Sequence, residues 1–550
     1  MSTLRPTLVL LFLTVVPALQ AQQHEHASTT ASPATLATGL GALHHAIATK
    51  SADAQRFFDQ GLTYVYGFNH DEAIRSFRRA AELDPASPMP HWGVALALGP
   101  NINLDVDPDR EKAAYDEAQR AKALAEGAPA NERAYVNALL TRYSNDPKAE
   151  LKALAVQYKD AMGAVTRQYP DDLDAATLYA ESLMDLNPWQ LWSHDGKPAD
   201  GTEEIVTVLE RVLRRDRLHI GANHYYIHAV EASKTPDRAI ASAKRLETLV
   251  PAAGHLVHMP AHIYMRTGEY LSAVASNAKA AEVDRAYIAA TRPDGMYPVM
   301  YYNHNLDFLA SAAMMAGQFT EAKKAADQLV ASATPALAQM PMLEPFAAKT
   351  MYVLLRFARW DDVLRLPQPD AKFPLLTTLW HFGRGIAHAA RGNAGDAERE
   401  RAAYAEARKA IQPNGDWGFN KARNMLEVTD AVIDAWIARA RRDDAAAIDA
   451  WRTAVLKEDM LNYDEPPDWF YPTRESLGAA LLRAKRFPEA EQAFRDDLTR
   501  NPKNGRSLYG LWQTLLMTRK ALEKQAVTAA EQQFQDAWKH ADVMLSLEDL

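Results

Sequence analysis

The sequence predicts an all-α solenoid (superhelix) built from stacked helical hairpins. Three observations predict it. Strand-like alternation of apolar and polar residues is nearly absent along the 550 residues. Small and aromatic residues return at fixed offsets within a 34-residue unit. The pairs His224/His228 and His258/His262 are themselves 34 residues apart. A chain this long exceeds one ordinary domain unless each unit buries its apolar face on the next, as repeat arrays do.

Residues 1–21 read as an export signal, with Arg5 followed by the apolar run Leu8–Val16. That run is too short to span a bilayer, and cleavage is expected after Ala18 or Ala21; an uncleaved anchor is the alternative. The expected location is the periplasm or outside the cell, with no membrane span after signal cleavage. Residues 22–45 are expected to form a flexible linker, with His24 and His26 in a solvated tail. The solenoid is expected over 46–550.

The repeat is clearest from Ala54. Offsets 4, 8, 11, 20, 24, 27 and 32 fall on Phe57, Gly61, Tyr64, Ala73, Phe77, Ala80 and Pro85. Small residues let the two helices approach, and Pro85 cannot extend the second. Counting from Tyr471, Gly478, Ala490, Phe494 and Pro502 take offsets 8, 20, 24 and 32, while Asp497 departs at 27. These residues resemble the tetratricopeptide repeat (TPR) family. Between the ends, first helices start at Leu173, Ile220, Gly254 and Asn303. A segment at 187–201, containing Trp189 and Trp192, interrupts the Leu173 unit and either caps the groove or packs on the surface. Further pairs are expected at Glu344–Leu366, Thr378–Ala410 and Val428–Met460.

The histidines fall on one face. At 100° per residue, positions 2, 5 and 9 of a first helix point together, away from positions 4, 8 and 11 that pack on the second helix. His255, His258 and His262 occupy 2, 5 and 9 of their helix, His224 and His228 occupy 5 and 9, and His304 and Asp307 occupy 2 and 5. Glu181 is at 9 of the Leu173 helix. The resemblance implies that this face lines the concave groove and carries ligand contacts, with Glu231, Trp92 and Glu475 also lining it. His70 reads as a turn residue that caps a helix, and the loop around Pro466–Pro467 as a closure of the far end or a rigid connector.

Six of the 17 histidines on neighbouring helices point to a metal site. The expected ligands are His224, His228, His255, His258, His262, His304, Glu181 and Asp307. Imidazole and carboxylate donors suit copper, iron or zinc, as one ion or a pair. With no cysteine, thiolate ligands and disulfides are excluded. His255-x2-His258-x3-His262 does not match the HExxH protease motif. Binding is expected to weaken below about pH 6.5, where free imidazole protonates. The formal charge of −9, with acids and bases mixed, points away from nucleic acid. Two functions remain open: a transition-metal protein, including a metal-dependent oxidoreductase or hydrolase acting on a small molecule, and a non-catalytic scaffold. The resemblance implies a peptide or partner protein in the groove as the commoner use of such arrays.

Overall fold

A computed structural model describes residues 34–293, 295–518 and 524–550. Successive helices pack as antiparallel hairpins, beginning with Ala52–Tyr66 on His70–Leu83 and recurring with Tyr302–Met315 on Phe319–Ala333 and Thr473–Arg483 on Phe487–Arg500. Among the described residues, the strands are limited to the hairpin Asp416–Trp417/Asn420–Lys421. The chain is therefore an all-α solenoid of helical hairpins. No described helix is long and apolar enough to cross a membrane. The expected export signal lies outside the described residues.

The repeat offsets correspond to contacts. A Cβ added at Gly61 or at Gly93 would stand 2.6 Å from the Phe77 ring. Phe77 is thus the wedge between its own first helix and the next hairpin, and it is fully buried. Phe494 takes the same place against Gly478 and Gly510. Asp497 departs from the apolar pattern because it is a buried acceptor: Asn501, Asn504 and Ser507 all donate to it. Phe77→Ala is expected to cost about 3–5 kcal/mol, the usual range for an emptied aromatic site. Urea unfolding measures this, and a cost below about 1 kcal/mol would contradict the wedge role.

The solenoid buries two main apolar cores that meet near Phe308–Leu309, where consecutive residues of one helix belong to different cores. The expected linker is corrected over its described part. Residues 34–45 lack helix but pack on the array: Ala34 and Leu40 are buried, the Ala37 N–H donates to Gln60 Oε1 at 2.8 Å, and the Ala252 N–H donates to the Gly39 carbonyl at 3.0 Å. Leu36, Leu40 and Leu43 supply apolar surface that the polar composition obscures. Residues 22–33 lie outside the description, His24 and His26 with them.

The first helix of the Gly254 unit is broken into Gly254–His258 and Pro260–Thr267. Pro260 has no N–H to give its turn. The late pairs form near their expected bounds, as Pro374–Ala390 with Ala394–Ala407 and Ala422–Ala440 with Asp444–Glu458. The stretch after Glu344 is instead divided into the short helices Glu344–Ala347, Lys349–Arg356 and Trp360–Arg365.

Candidate metal centre

The helix Ile220–Glu231 is buried along its whole length. It packs against Ala52–Tyr66, Leu173–Met184, Thr202–Arg215, Ile240–Leu249 and Pro260–Thr267. A helix surrounded on all sides is expected to be apolar throughout. This one carries Asn223, His224, His228 and Glu231, so each polar group needs a partner.

The six histidines meet as two groups of three. His224, His228 and His255 form one, and His258, His262 and His304 the other. In the first, His224 Nε2 and His255 Nε2 are 3.2 Å apart. In the second, His258 Nε2 lies 2.8 Å from His262 Nε2 and 3.1 Å from His304 Nε2. Both groups follow one rule. Positions 5 and 9 of one first helix are joined by position 2 of the next.

The rule also accounts for the neighbouring steps. Downstream, positions 5 and 9 are Asp307 and Ser311, and the Lys349 ammonium stands 2.7 Å from Asp307 Oδ1 and 2.8 Å from Ser311 Oγ. A built-in cation sits between those two side chains. Upstream, positions 5 and 9 are Thr177 and Glu181, and position 2 of the following helix is Gly221, which has no side chain to complete a group.

Partners on the far side of the rings fix the protons. His224 Nδ1 lies 2.6 Å from the Tyr66 carbonyl, which only accepts. Asn277 donates through Nδ2 to the Ala273 carbonyl, so its Oδ1, 2.6 Å from His258 Nδ1, accepts. Glu231 spans both groups, with Oε1 2.7 Å from His228 Nδ1 and Oε2 2.5 Å from His262 Nδ1. These four rings therefore carry the proton on Nδ1 and present a lone pair at Nε2. The lone pairs of His258 and His262 face each other at 2.8 Å, which requires positive charge between them. A proton satisfies one such pair, whereas a metal ion satisfies three rings at once. The buried Nε2 of His228 has no partner among the described residues. Nitrogens ligating one ion at ~2.0–2.1 Å stand about 2.9 Å apart at right angles and about 3.4 Å apart in a tetrahedron. The three observed separations fall close to that span.

The residues behind the rings provide the support that metal-binding histidines ordinarily have. Burial opposes ionisation of Glu231, but the His262 and His228 imidazoles outweigh it and hold its carboxyl below the usual range. Tyr463 adds a hydroxyl donor to Oε2 at 3.3 Å.

Each group has one ring behind and two at the edge of a shared cavity of about 660 Å³. His228 and His255, and His262 and His304, line this cavity; His224 and His258 do not. Trp189 from the 187–201 segment also lines it, with its ring centroid 5.8 Å from that of His228 and 4.6 Å from that of Phe419. The segment therefore caps the groove at the histidines. Asp464, Glu465 and Asp468 supply another part of the lining. Burial pushes the Glu465 and Asp468 carboxyls up to about 7. The loop around Pro466–Pro467 thus covers the histidine column through Tyr463, rather than closing a distant end.

Several expected site residues lie elsewhere. Glu181 is buried beside Asp185 and Arg142; burial raises its carboxyl, and the Arg142 charge opposes that rise. Asp307 lines the histidine cavity, but its carboxylate is held by Lys349 rather than joined to a histidine group. Trp92 belongs to the core, where its ring meets Phe58 at 6.3 Å and Tyr135 at 5.3 Å. Glu475 is fully buried in an ion pair with Arg356, because two close arginines, Arg356 and Arg506, need a counter-charge there. His70 does not cap its helix; Asn69 does, accepting from the Glu72 N–H. Sequence reasoning passed over Asn277, Tyr463, Lys349 and the Tyr66 carbonyl. No periodic signal marks them, since each comes from a different element.

The burial of the rings bears on the expected loss of metal near pH 6.5. Burial lowers the pKa of His224, His228 and His255, and the crowded imidazoles lower it further at His224 and His255. Burial also pushes His304 down to about 3. A lowered pKa keeps the lone pair free to a lower pH, so protons compete later. Equilibrium dialysis is expected to show the first group still occupied at about pH 5, and a loss midpoint near 6.5 would contradict this.

No protein-family model matches the chain, and a search of curated proteins finds no match. Solved structures similar to it include a human IFIT1 dimer with PPP-AAAA, at 12% identity over 90% of this chain and 92% of that one, with a TM-score of 0.32. Yeast Tom70 is similar at 11% identity over 90% and 91%, with a TM-score of 0.27. The APC/C hetero-tetramer Cut9–Hcn1 is similar at 12% over 90% and 91%, with a TM-score of 0.28. Likeness at this level carries no chemistry. By its own packing, with Phe77 and Phe494 wedged on paired glycines, the chain is a solenoid of TPR-type helical hairpins.

Proposed function

We propose that this chain is an exported transition-metal protein that holds two ions, each by three imidazoles. The carrying observation is the convergence of six imidazoles in two groups of three, in which His224, His228, His258 and His262 have their Nδ1 protons committed to acceptors and so present lone pairs at Nε2. Copper, iron and zinc all suit such donors. Three protein ligands with a fourth position facing a cavity is the arrangement of catalytic rather than structural sites. This supports a metal-dependent oxidoreductase or hydrolase whose small-molecule substrate enters the shared cavity. The chain's own Tyr463 reaches Glu231 across the groove, which favours a small molecule over a bound peptide beside the histidines.

Elemental analysis of the full chain, purified from cells supplied with copper, iron and zinc, is expected to find about two ions per chain. Metal-free protein that takes up none of the three on dialysis would refute the reading and favour the scaffold. Export is checked separately by sequencing the N-terminus of the mature protein, expected at Leu19 or Gln22.

A further inference from the structure

Imidazole alone does not choose among copper, iron and zinc, but the cavity also offers sulfur. Three methionines, Met296, Met300 and Met342, line the same cavity as the histidines. Met296, Met300 and His304 are spaced by four residues. Met296 immediately precedes the π-helical turn Tyr297–Tyr301, which runs directly into the helix Tyr302–Met315 carrying His304. Side chains four apart on a helical stretch lie one above the other, and all three of these reach the one cavity. Met342 comes from a separate segment and is 59% exposed. The cavity therefore offers one exposed and two half-buried thioethers together with His304, whose Nε2 is 3.1 Å from His258 Nε2. Single π turns inside helices are frequent at functional sites.

We propose that the resident metal is copper, taken up as Cu(I) by Met342, Met296 and Met300 and passed to His304 and its group. The proposal rests on the trihistidine reading and adds the identity of the ion and its route. Thioether sulfur is a soft, uncharged donor that selects Cu(I) and offers little to zinc or ferrous iron. The chain has no cysteine, so thioethers are its only sulfur ligands. Transfer is ligand exchange: a Cu–S bond breaks as a Cu–N bond to His304 forms, and the oxidation state does not change.

Packing also uses these side chains, and Met300 lies against the small core around Leu337. Leucine satisfies packing equally well, since Met-to-Leu swaps conserve volume, but it cannot bind copper. The test therefore compares the full chain with its Met296→Leu/Met300→Leu/Met342→Leu variant. Both are titrated anaerobically with Cu(I) against a chromogenic chelator, and separately with Zn(II). The wild type is expected to bind about three Cu(I) but about two Zn(II), with sulfur neighbours in the copper X-ray absorption spectrum. The variant is expected to bind about two of each, with nitrogen neighbours only; its intact zinc content shows that the fold and histidine groups survive. Equal Cu(I) stoichiometry in both proteins, with no sulfur neighbours in the wild type, would overturn the thioether route. A wild type that binds neither metal would overturn the trihistidine reading itself.

Discussion

Replacing His228 and His262 together by alanine is expected to reduce bound metal from about two ions per chain to near none. Each variant removes one of three rings from its group, and two neutral imidazoles in a buried pocket are a poor site. The single changes separate the two sites: His228→Ala loses the ion shared with His224 and His255, and His262→Ala loses the one shared with His258 and His304. His540→Ala, far from the column, leaves the content unchanged. Glu231→Gln is expected to weaken both sites by about 10- to 100-fold, because one carboxylate orients a ring in each. On the two-site reading metal binds the folded chain more tightly than the unfolded one, so the zinc-loaded protein is expected to melt higher than the metal-free protein, and the double variant is expected to lose that difference. Equal metal content in the wild type and the double variant would sink the two-site account.

The second large effect is expected at the step below the histidines. Lys349→Met removes the cation that holds Asp307 and Ser311, leaving a largely buried carboxylate uncompensated. Breaking a buried pair from one side costs about 3–5 kcal/mol. Asp307→Asn added to Lys349→Met is expected to restore much of that loss, since no unpaired charge remains. A double-mutant cycle by urea unfolding reads the coupling. Single and double variants of equal stability would show that the ion pair contributes nothing. Metal content is expected to hold throughout, because Lys349 belongs to the next step of the column and not to a histidine group.

The fold was legible from local chemistry. Gly61, Phe77 and Pro85 each act within one hairpin or on the next, so a short window of sequence holds the information. The histidine face was legible for the same reason: positions 2, 5 and 9 share a direction on any helix. Glu181 shows where that reasoning stops. It sits at the right position, but Gly221 offers it no third partner, and the buried Arg142 charge lies close by. Trp92 and Glu475 likewise occupy the right wheel positions and are drawn into the interior by Phe58 and Arg356.

By itself, the sequence determined the helical hairpins, their repeat and the set of six imidazoles on one face. Only the tertiary structure decided how those six divide. A wheel gives direction about one helix axis, and it groups His255 with His258 and His262. The stacking offset between successive hairpins instead carries position 2 back to the preceding helix, so His255 joins His224 and His228, and His304 joins His258 and His262. The protons were likewise decided in three dimensions. The Tyr66 carbonyl lies 158 residues from His224 in the chain, and Tyr463 lies 232 residues from Glu231. Which nitrogen of an imidazole keeps its lone pair depends on what stands behind the ring, and a periodic pattern does not encode contacts between residues so far apart in sequence.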